Sequence, residues 1–381
     1  MHPEVAITIT GKCILLISPQ SWGKMFISKH HYAVELAKCG NRVYFLNPPD
    51  QTLTERIIIK AIEQHPGLFI IEHKLWFPYI IKFHAIQLFH LLMYAQVKAI
   101  LRKIATPVEI VWSFDLGNLY PFRFFSATAR KIFHPVDEPL TKDAIDAAKG
   151  ADLIISVTRE ILQKYALYKV PKHLINHGVS EDFLKQYPVS KFDNDVIHVG
   201  FSGNLMRPDI DRNVLLTIIE YHPAIIFECW GSYKEKDGNI GGAADKPTNA
   251  FINSLVAAPN VILHGAVFTA ELAAGLQQMD AFLICYDIKK DQSKGTNYHK
   301  IMEYLATGKV IISNNVTAYA DRADLILMPE ERDNNNKLPE LFSKTIRNIA
   351  AYNSNANQHT RKQFACKNRY TCQIAAIARF L

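Results

Sequence analysis

Short apolar runs alternate with amphipathic segments along almost the whole chain, and this alternation constrains the fold more than any other feature. Residues 12–18 (KCILLIS) form an apolar run closed by Ser18-Pro19. Residues 28–39 carry Tyr32, Val34, Leu36 and Ala37 and stop at Gly40. Residues 42–46 (RVYFL) form a second run, closed by Asn47-Pro48-Pro49. An apolar run bounded by turn formers suits a strand buried on both faces, and a glycine-ended helix between two such strands makes a βαβ unit. Runs at 68–71, 108–112, 129–133, 151–157 and 173–178 continue the set, with helices expected over 139–149 and 159–168. Pro139 fits the first turn of the former helix, where a missing N–H costs nothing.

The polar stretch 188–195 (PVSKFDND) reads as a linker, and a second α/β set follows it. Strands are expected over 196–201, 225–230, 261–264, 281–286 and 310–313. Helices are expected over 209–221, 269–278 and 297–307, and from Pro339 onward with a break at 353–357. Residues 234–248 read as a surface loop. The pattern is that of two consecutive Rossmann-like units, and 381 residues is a length for two or three domains. With 49% hydrophobic and 21% charged residues, the chain is excluded from the disordered class.

Charge is uneven. Residues 1–190 hold 22 Lys and Arg against 16 Asp and Glu, whereas the remainder holds 21 against 20. A basic first half points to an anionic partner, and the balanced second half argues against nucleic acid. The six cysteines form no CxxC pair and are too sparse for a disulfide scaffold, so a reducing cytosol is the expected compartment. The first twelve residues show no basic region followed by an apolar one, so no signal peptide is expected. No stretch reaches the roughly 18 uninterrupted apolar residues of a spanning helix.

Residues 295–314 (GTNYHKIMEYLATGKVIISN) carry the most chemistry. On a helix, Ile301, Tyr304 and Leu305 face a sheet, while Lys300, Glu303 and Thr307 share the other side. A helix N-terminus favours an anion such as a diphosphate; Lys300 can neutralise it, and Glu303 can accept both hydroxyls of a ribose. The competing reading is a solvated Lys–Glu pair. Gly203 and Asn204 follow a strand, where a glycine turn lets backbone N–H groups approach a diphosphate, or simply joins strand to helix. Arg207 is a candidate for bidentate phosphate contact or an exposed charge.

The segment Lys300, Glu303-Tyr304-Leu305-Ala306, Gly308-Lys309 and Val310-Ile311-Ile312 resembles the donor-binding signature of GT-B glycosyltransferases, in particular the family 4 (group 1) enzymes of bacterial surface polysaccharide synthesis. Residues 152–156 with Asn176-His177-Gly178-Val179 are similar to the end of that family's first domain. Residues 199–204 resemble its first donor-domain strand and turn, and residues 260–265 and 272–280 its strand, loop and helix beside the base. The resemblance covers most of 12–320 and is weakest over 50–110.

The resemblance implies a fold of two Rossmann-like domains facing a central cleft: an acceptor domain over 1–190, a nucleotide-sugar domain over 191–365, and a C-terminal helix over 366–381 crossing back to the first domain. It implies a donor set of Gly203, Asn204, Arg207, Gly231, Gly265, Tyr298, His299, Lys300 and Glu303. The nucleotide sugar, a UDP-sugar first, is a substrate, and no cofactor is implied. Two positions depart from the family pattern: Gly295 stands where many retaining members have a first glutamate, and no lysine partner of Arg207 is evident.

Asp137 follows a strand and a proline, at the strand end where α/β ligands sit, and can act as general base on an acceptor hydroxyl or cap the helix before Leu140. Glu138 is its neighbour. Trp22 and Gly23 occupy the first βα loop. His30 and His31 open the first helix, one expected toward the cleft and the other toward solvent. No Asp-x-Asp triplet stands at a strand end, so no metal is expected; Arg207, Lys300 and the helix N-terminus can carry leaving-group charge.

Residues 75–94 mix aromatic, aliphatic, His and Lys residues, and Lys98, Arg102 and Lys103 follow. Such a stretch suits either a helix packed on the first sheet or an interfacial helix on an anionic membrane, at the inner face of the cell membrane. The leading reading is a metal-independent hexosyltransferase acting on a lipid-linked or polysaccharide acceptor. The alternatives are a UDP-sugar 2-epimerase on the same fold and an inactive subunit that binds a glycan or a partner enzyme.

Overall fold

All five residues of Cys13–Ile17 (β1) are buried, as a strand with neighbours on both edges and helices on both faces requires. The structure, a computed structural model, describes residues 9–188, 196–234, 244–291 and 293–381. The linker stretch 189–195 and residues 235–243 of the expected surface loop lie outside the described residues. Contacts divide the chain into two units: Met1–Trp22, Ile27–Asn176 and Tyr370–Leu381 in the first, and Gly23–Phe26 and His177–Arg369 in the second.

The first unit is built on an eight-stranded sheet. After β1 come Arg42–Leu46 (β2), Ile57–Ala61 (β3), Leu68–His73 (β4) and Ile110–Ser113 (β5), then Arg130–Phe133 (β6), Leu153–Ser156 (β7) and Lys172–Leu174 (β8). Their order is β3-β4-β2-β1-β5-β6-β7-β8, parallel throughout except for the antiparallel pair β3–β4. Leu15 sits opposite Tyr44 on one side and Val111 on the other. β3 is an addition to the sequence reading: an edge strand with only Ile57 fully buried, its outer end carrying the Lys60–Glu72 ion pair across the strands at 2.6 Å.

Two expectations in this unit are corrected. The helix expected over 139–149 is Lys142–Asp146, and its cap is Thr141, whose Oγ1 accepts the Ala144 N–H at 3.2 Å. Pro139 lies ahead of it, and the cap of this helix is Thr141 and not Asp137. The stretch 75–94 is not one helix but a turn at Ile81–His84 and a 19-residue helix, Ile86–Ile104, separated by Ala85.

The second unit holds His198–Ser202 (β9), Ile226–Trp230 (β10), Val261–Gly265 (β11), Ala281–Ile284 (β12) and Val310–Ser313 (β13), all parallel, in the order β11-β10-β9-β12-β13. Taken in chain order within each unit, with β3 aside, the first sheet runs 3-2-1-4-5-6-7 and the second 3-2-1-4-5. This doubly wound order has its switch between β1 and β5 in the first unit and between β9 and β12 in the second; ligands of such sheets sit at the carboxyl ends of the strands there. The expected loop over 234–248 is corrected at its end. Lys246–Ala257 is a helix, with Asp245 accepting the Thr248 N–H at 2.8 Å and Pro247 in its first turn.

The chain ends in two helices, Asn355–Lys367 and Tyr370–Ala378. Within the first unit, the Tyr370 ring packs on His31 and Tyr32, with centroids 5.1 and 5.0 Å apart. The Phe380 ring stacks on His173 at 3.5 Å, and its carbonyl accepts from the Arg130 guanidinium at 3.1 Å.

Candidate functional site

At the switch of the second unit, β9 ends in Ser202-Gly203 and β10 in Trp230-Gly231. Gly203 has φ +149° and Gly231 φ +131°. A Cβ on Gly203 would lie 2.6 Å from Lys300 Nζ and 3.0 Å from Tyr286 Oη, and one on Gly231 only 1.8 Å from the Gly203 carbonyl oxygen. The turns close on one another because neither residue has a side chain. The Gly203 N–H is engaged by the Trp230 carbonyl at 2.8 Å, and the Gly231 N–H by the Gly265 carbonyl at 2.8 Å. Neither amide is therefore available as the phosphate donor expected of a glycine turn. These glycines provide room.

Lys300 uses that room. It opens the helix Lys300–Thr307, in which every residue is buried. Its Nζ donates to the Ser202 carbonyl and to Tyr286 Oη at 2.5 Å, and it lies 4.8 Å from the Tyr286 ring centroid. Four residues on, Tyr304 Oη accepts the Ser202 N–H at 2.7 Å, and its ring stacks on Phe282 at 4.1 Å. The two side chains clamp both polar atoms of one strand-end residue and fix the helix on β9.

Glu303 is buried beside Lys300, and no hydrogen bond reaches its carboxylate among the described residues. Burial pushes its pKa up to about 7 against the pull of the Lys300 charge. Burial pushes Lys300 down to about 8, opposed first by Glu303. The solvated-pair reading is thereby corrected: the polar side of this helix faces the strand ends and not water.

Arg207 is held by Asp209, its Nε donating to both carboxylate oxygens at 2.9 and 3.0 Å, while about a third of the side chain stays exposed. Asn204 is buried and its Oδ1 accepts the Met206 N–H at 2.9 Å. Tyr298 donates its hydroxyl to Asp291 at 2.8 Å, and the same carboxylate accepts the N–H groups of Ser293 (3.0 Å) and Gly295 (2.9 Å). Gly295, at φ +64°, thus belongs to a loop wound around Asp291. The half-buried His299 ring lies 6.2 Å from His177.

In the first unit, Asp137 is half-buried, four residues past the end of β6. Lys29 is buried, donates to Gln20 Oε1 and lies 5.8 Å from the Phe114 ring centroid. Burial pushes its pKa down to about 8, against the opposing charges of Asp137 and Asp115. The buried Asp115 accepts N–H bonds from Gly117 (2.8 Å) and Leu119 (2.7 Å); burial, its largest influence, raises its pKa. Both helix-opening histidines are buried, which corrects the expectation that one faces solvent. His30 Nδ1 accepts the Ile27 N–H at 3.1 Å and Nε2 meets the Ser21 carbonyl at 3.1 Å; burial drops its pKa to about 3, so it is neutral. His31 stacks on Tyr370. The Trp22 N–H donates to Asn47 at 2.9 Å and its ring meets Phe45 edge-on at 5.1 Å; Gly23 groups with the second unit.

The expected donor residues therefore gather at one set of strand ends in the second unit, and Asp137, Trp22 and His31 lie in the first. Lys29, Asp115, Asp209, Tyr286 and Asp291 are additions from the structure.

The chain matches solved structures over nearly its whole length. A sucrose-phosphate synthase from Thermosynechococcus elongatus superposes with a TM-score of 0.71 at 13% identity, covering 97% of this chain and 98% of the other. An α,α-trehalose-phosphate synthase (UDP-forming) from Burkholderia xenovorans, in complex with glucose-6-phosphate, gives 0.69 at 11%, covering 96% and 99%. The chain has the GT-B fold. Anabaena HepE in complex with UDP-glucose gives 0.65 at 14%, covering 96% and 98%. At these identities the likeness is one of fold. No protein-family model and no curated protein sequence matches the chain.

Proposed function

We propose that this chain is a glycosyltransferase that moves a hexosyl group from a nucleoside-diphosphate sugar, a UDP-sugar first, to a lipid-linked or polysaccharide acceptor in surface-glycan synthesis at the cytoplasmic face of the membrane. The observation that carries the reading is Glu303: a buried carboxylate without a hydrogen-bond donor, one turn from a buried lysine, at the switch point of a GT-B sheet. An unsatisfied buried carboxylate is costly, and two ribose hydroxyls would satisfy it. Lys300 and the partly exposed Arg207 supply the positive charge that a departing diphosphate requires. The trehalose-phosphate synthase named UDP-forming and the UDP-glucose complex of HepE support this donor class.

The acceptor hydroxyl oxygen forms the new bond to the anomeric carbon, the bond from that carbon to the diphosphate breaks, and the diphosphate leaves with the electron pair. Asp137 takes the hydroxyl proton. Charge from the protein's own lysine and arginine is the basis for reading the reaction as metal-independent.

Gly295, which leaves no carboxylate at its position, favours one second reading: a binding subunit without turnover. A screen of UDP-, GDP- and dTDP-sugars separates the two. Thermal stabilisation by a UDP-sugar together with donor hydrolysis supports the transferase, whereas stabilisation without hydrolysis supports the binding subunit. Stabilisation by none of them rejects the transferase.

A further inference from the structure

The first unit carries an exposed apolar surface among residues that belong to neither the donor set nor the Asp137 region. Half of the exposed large apolar side chains among the described residues fall within 76–94, with Trp76 at 49%, Ile80 at 60%, Leu91 at 65% and Phe83 at 69% exposure. The others are spread over the remainder of the chain from Leu140 to Leu381; a concentration of exposed apolar side chains in one short segment marks an interaction site.

The helix Ile86–Ile104 explains how the patch arises. Phe89, Met93, Val97, Ile100 and Ile104 recur at helical spacing and are buried in the first unit's core. The opposite face reads Leu88, Leu91, Ala95, Lys98, Arg102, at steps of three and four residues: apolar for two turns, then basic. Lys98 Nζ lies 5.1 Å from the Tyr94 ring centroid, and among the described residues no hydrogen bond or ion pair engages Arg102. Between Glu72 and Glu109 the chain carries five lysines and arginines and no carboxylate.

We propose that this face docks on a membrane surface bearing anionic phospholipid headgroups. Apolar side chains enter the boundary between headgroups and acyl chains, Trp76, Tyr79 and Tyr94 sit at headgroup level, and the basic end of the helix meets the lipid phosphates. No helix among the described residues is long and apolar enough to cross a membrane, so the contact is interfacial. A second copy fits less well, because a two-fold interface would set Lys98 and Arg102 against their own copies, and neither has a carboxylate partner among the described residues, whereas Lys82 is already paired with Asp143 at 3.3 Å. The proposal is independent of the sugar chemistry.

The test is co-sedimentation of the full chain with vesicles of phosphatidylcholine alone or with added phosphatidylglycerol, at low and high salt. Binding should require phosphatidylglycerol and weaken with salt. L88Q/L91Q should lose affinity about tenfold or more, since each leucine no longer buries apolar surface. K98Q/R102Q should lose the salt-sensitive part. All four positions face away from the core, so melting should be unchanged, and F83S provides an independent variant outside the long helix. The proposal is overturned if the wild type does not bind phosphatidylglycerol vesicles, if it binds phosphatidylcholine equally well, if folded variants bind like the wild type, or if sedimentation velocity shows a dimer that L88Q/L91Q abolishes.

Discussion

Glu303 lies one helical turn beyond Lys300, both are buried, and the carboxylate receives no hydrogen bond. Folding raises its pKa from 4.5 to about 7. Between those values the folded state binds more protons than the unfolded state, so this group makes stability fall as pH rises, and its penalty is complete above pH 7. E303Q removes the charge and keeps the shape. It should therefore melt higher than the wild type at pH 7.5, with the gain shrinking toward pH 4.5. Melting curves across that range check this; a variant that melts lower at every pH would contradict it.

Lys300 shows the opposite dependence. Folding lowers its pKa from 10.5 to about 8, so between those values the unfolded state binds more protons and stability rises with pH. K300M should cost about 3–5 kcal/mol at neutral pH, because it strands the buried Glu303 and unclamps Ser202. The double variant K300M/E303Q should recover a large part of that loss. Urea denaturation of the four proteins measures the coupling, and simple additivity would remove it.

Gly231 tests the strand-end packing. G231A would force a methyl group into the Gly203 carbonyl, 1.8 Å away, at a backbone angle that alanine rarely adopts. The expected outcome is a loss of several kcal/mol or failure of the second unit to fold, read by circular dichroism and melting. A variant that melts like the wild type would show that the turns are looser than described.

Thr141, and not Asp137, caps the following helix. D137N should leave UDP binding unchanged and cut turnover by about 10²–10⁴-fold if the carboxylate is the acceptor-side base. Turnover within about threefold of the wild type would reject that role while leaving the donor assignment standing.

The central strands were legible because parallel strands buried on both faces are uninterrupted apolar runs: CILLI, RVYFL and AFLI stand out on inspection. β3 did not stand out, since an edge strand is half solvated and its isoleucines give way to Lys60. The helix Lys246–Ala257 begins in polar sequence, and its signal was cap chemistry, Asp245 with Pro247, that composition obscures. Spacing put Lys300 and Glu303 on one helix face, but periodicity separates polar from apolar faces and cannot show that a polar face is buried. The same limit hid Lys29 behind its histidine neighbours and the Asp209 partner of Arg207.

The most direct measurement is calorimetric titration of UDP and of 2′,3′-dideoxy-UDP into the wild type and E303Q. The account predicts that UDP binds the wild type, and that E303Q, although more stable, binds it about 10–100-fold more weakly, the worth of hydrogen bonds to a charged group. Dideoxy-UDP should bind both proteins at the weaker level. Equal affinity of UDP for the two proteins, or no binding of UDP to either, would contradict the assignment of Glu303 to the ribose and with it the donor site.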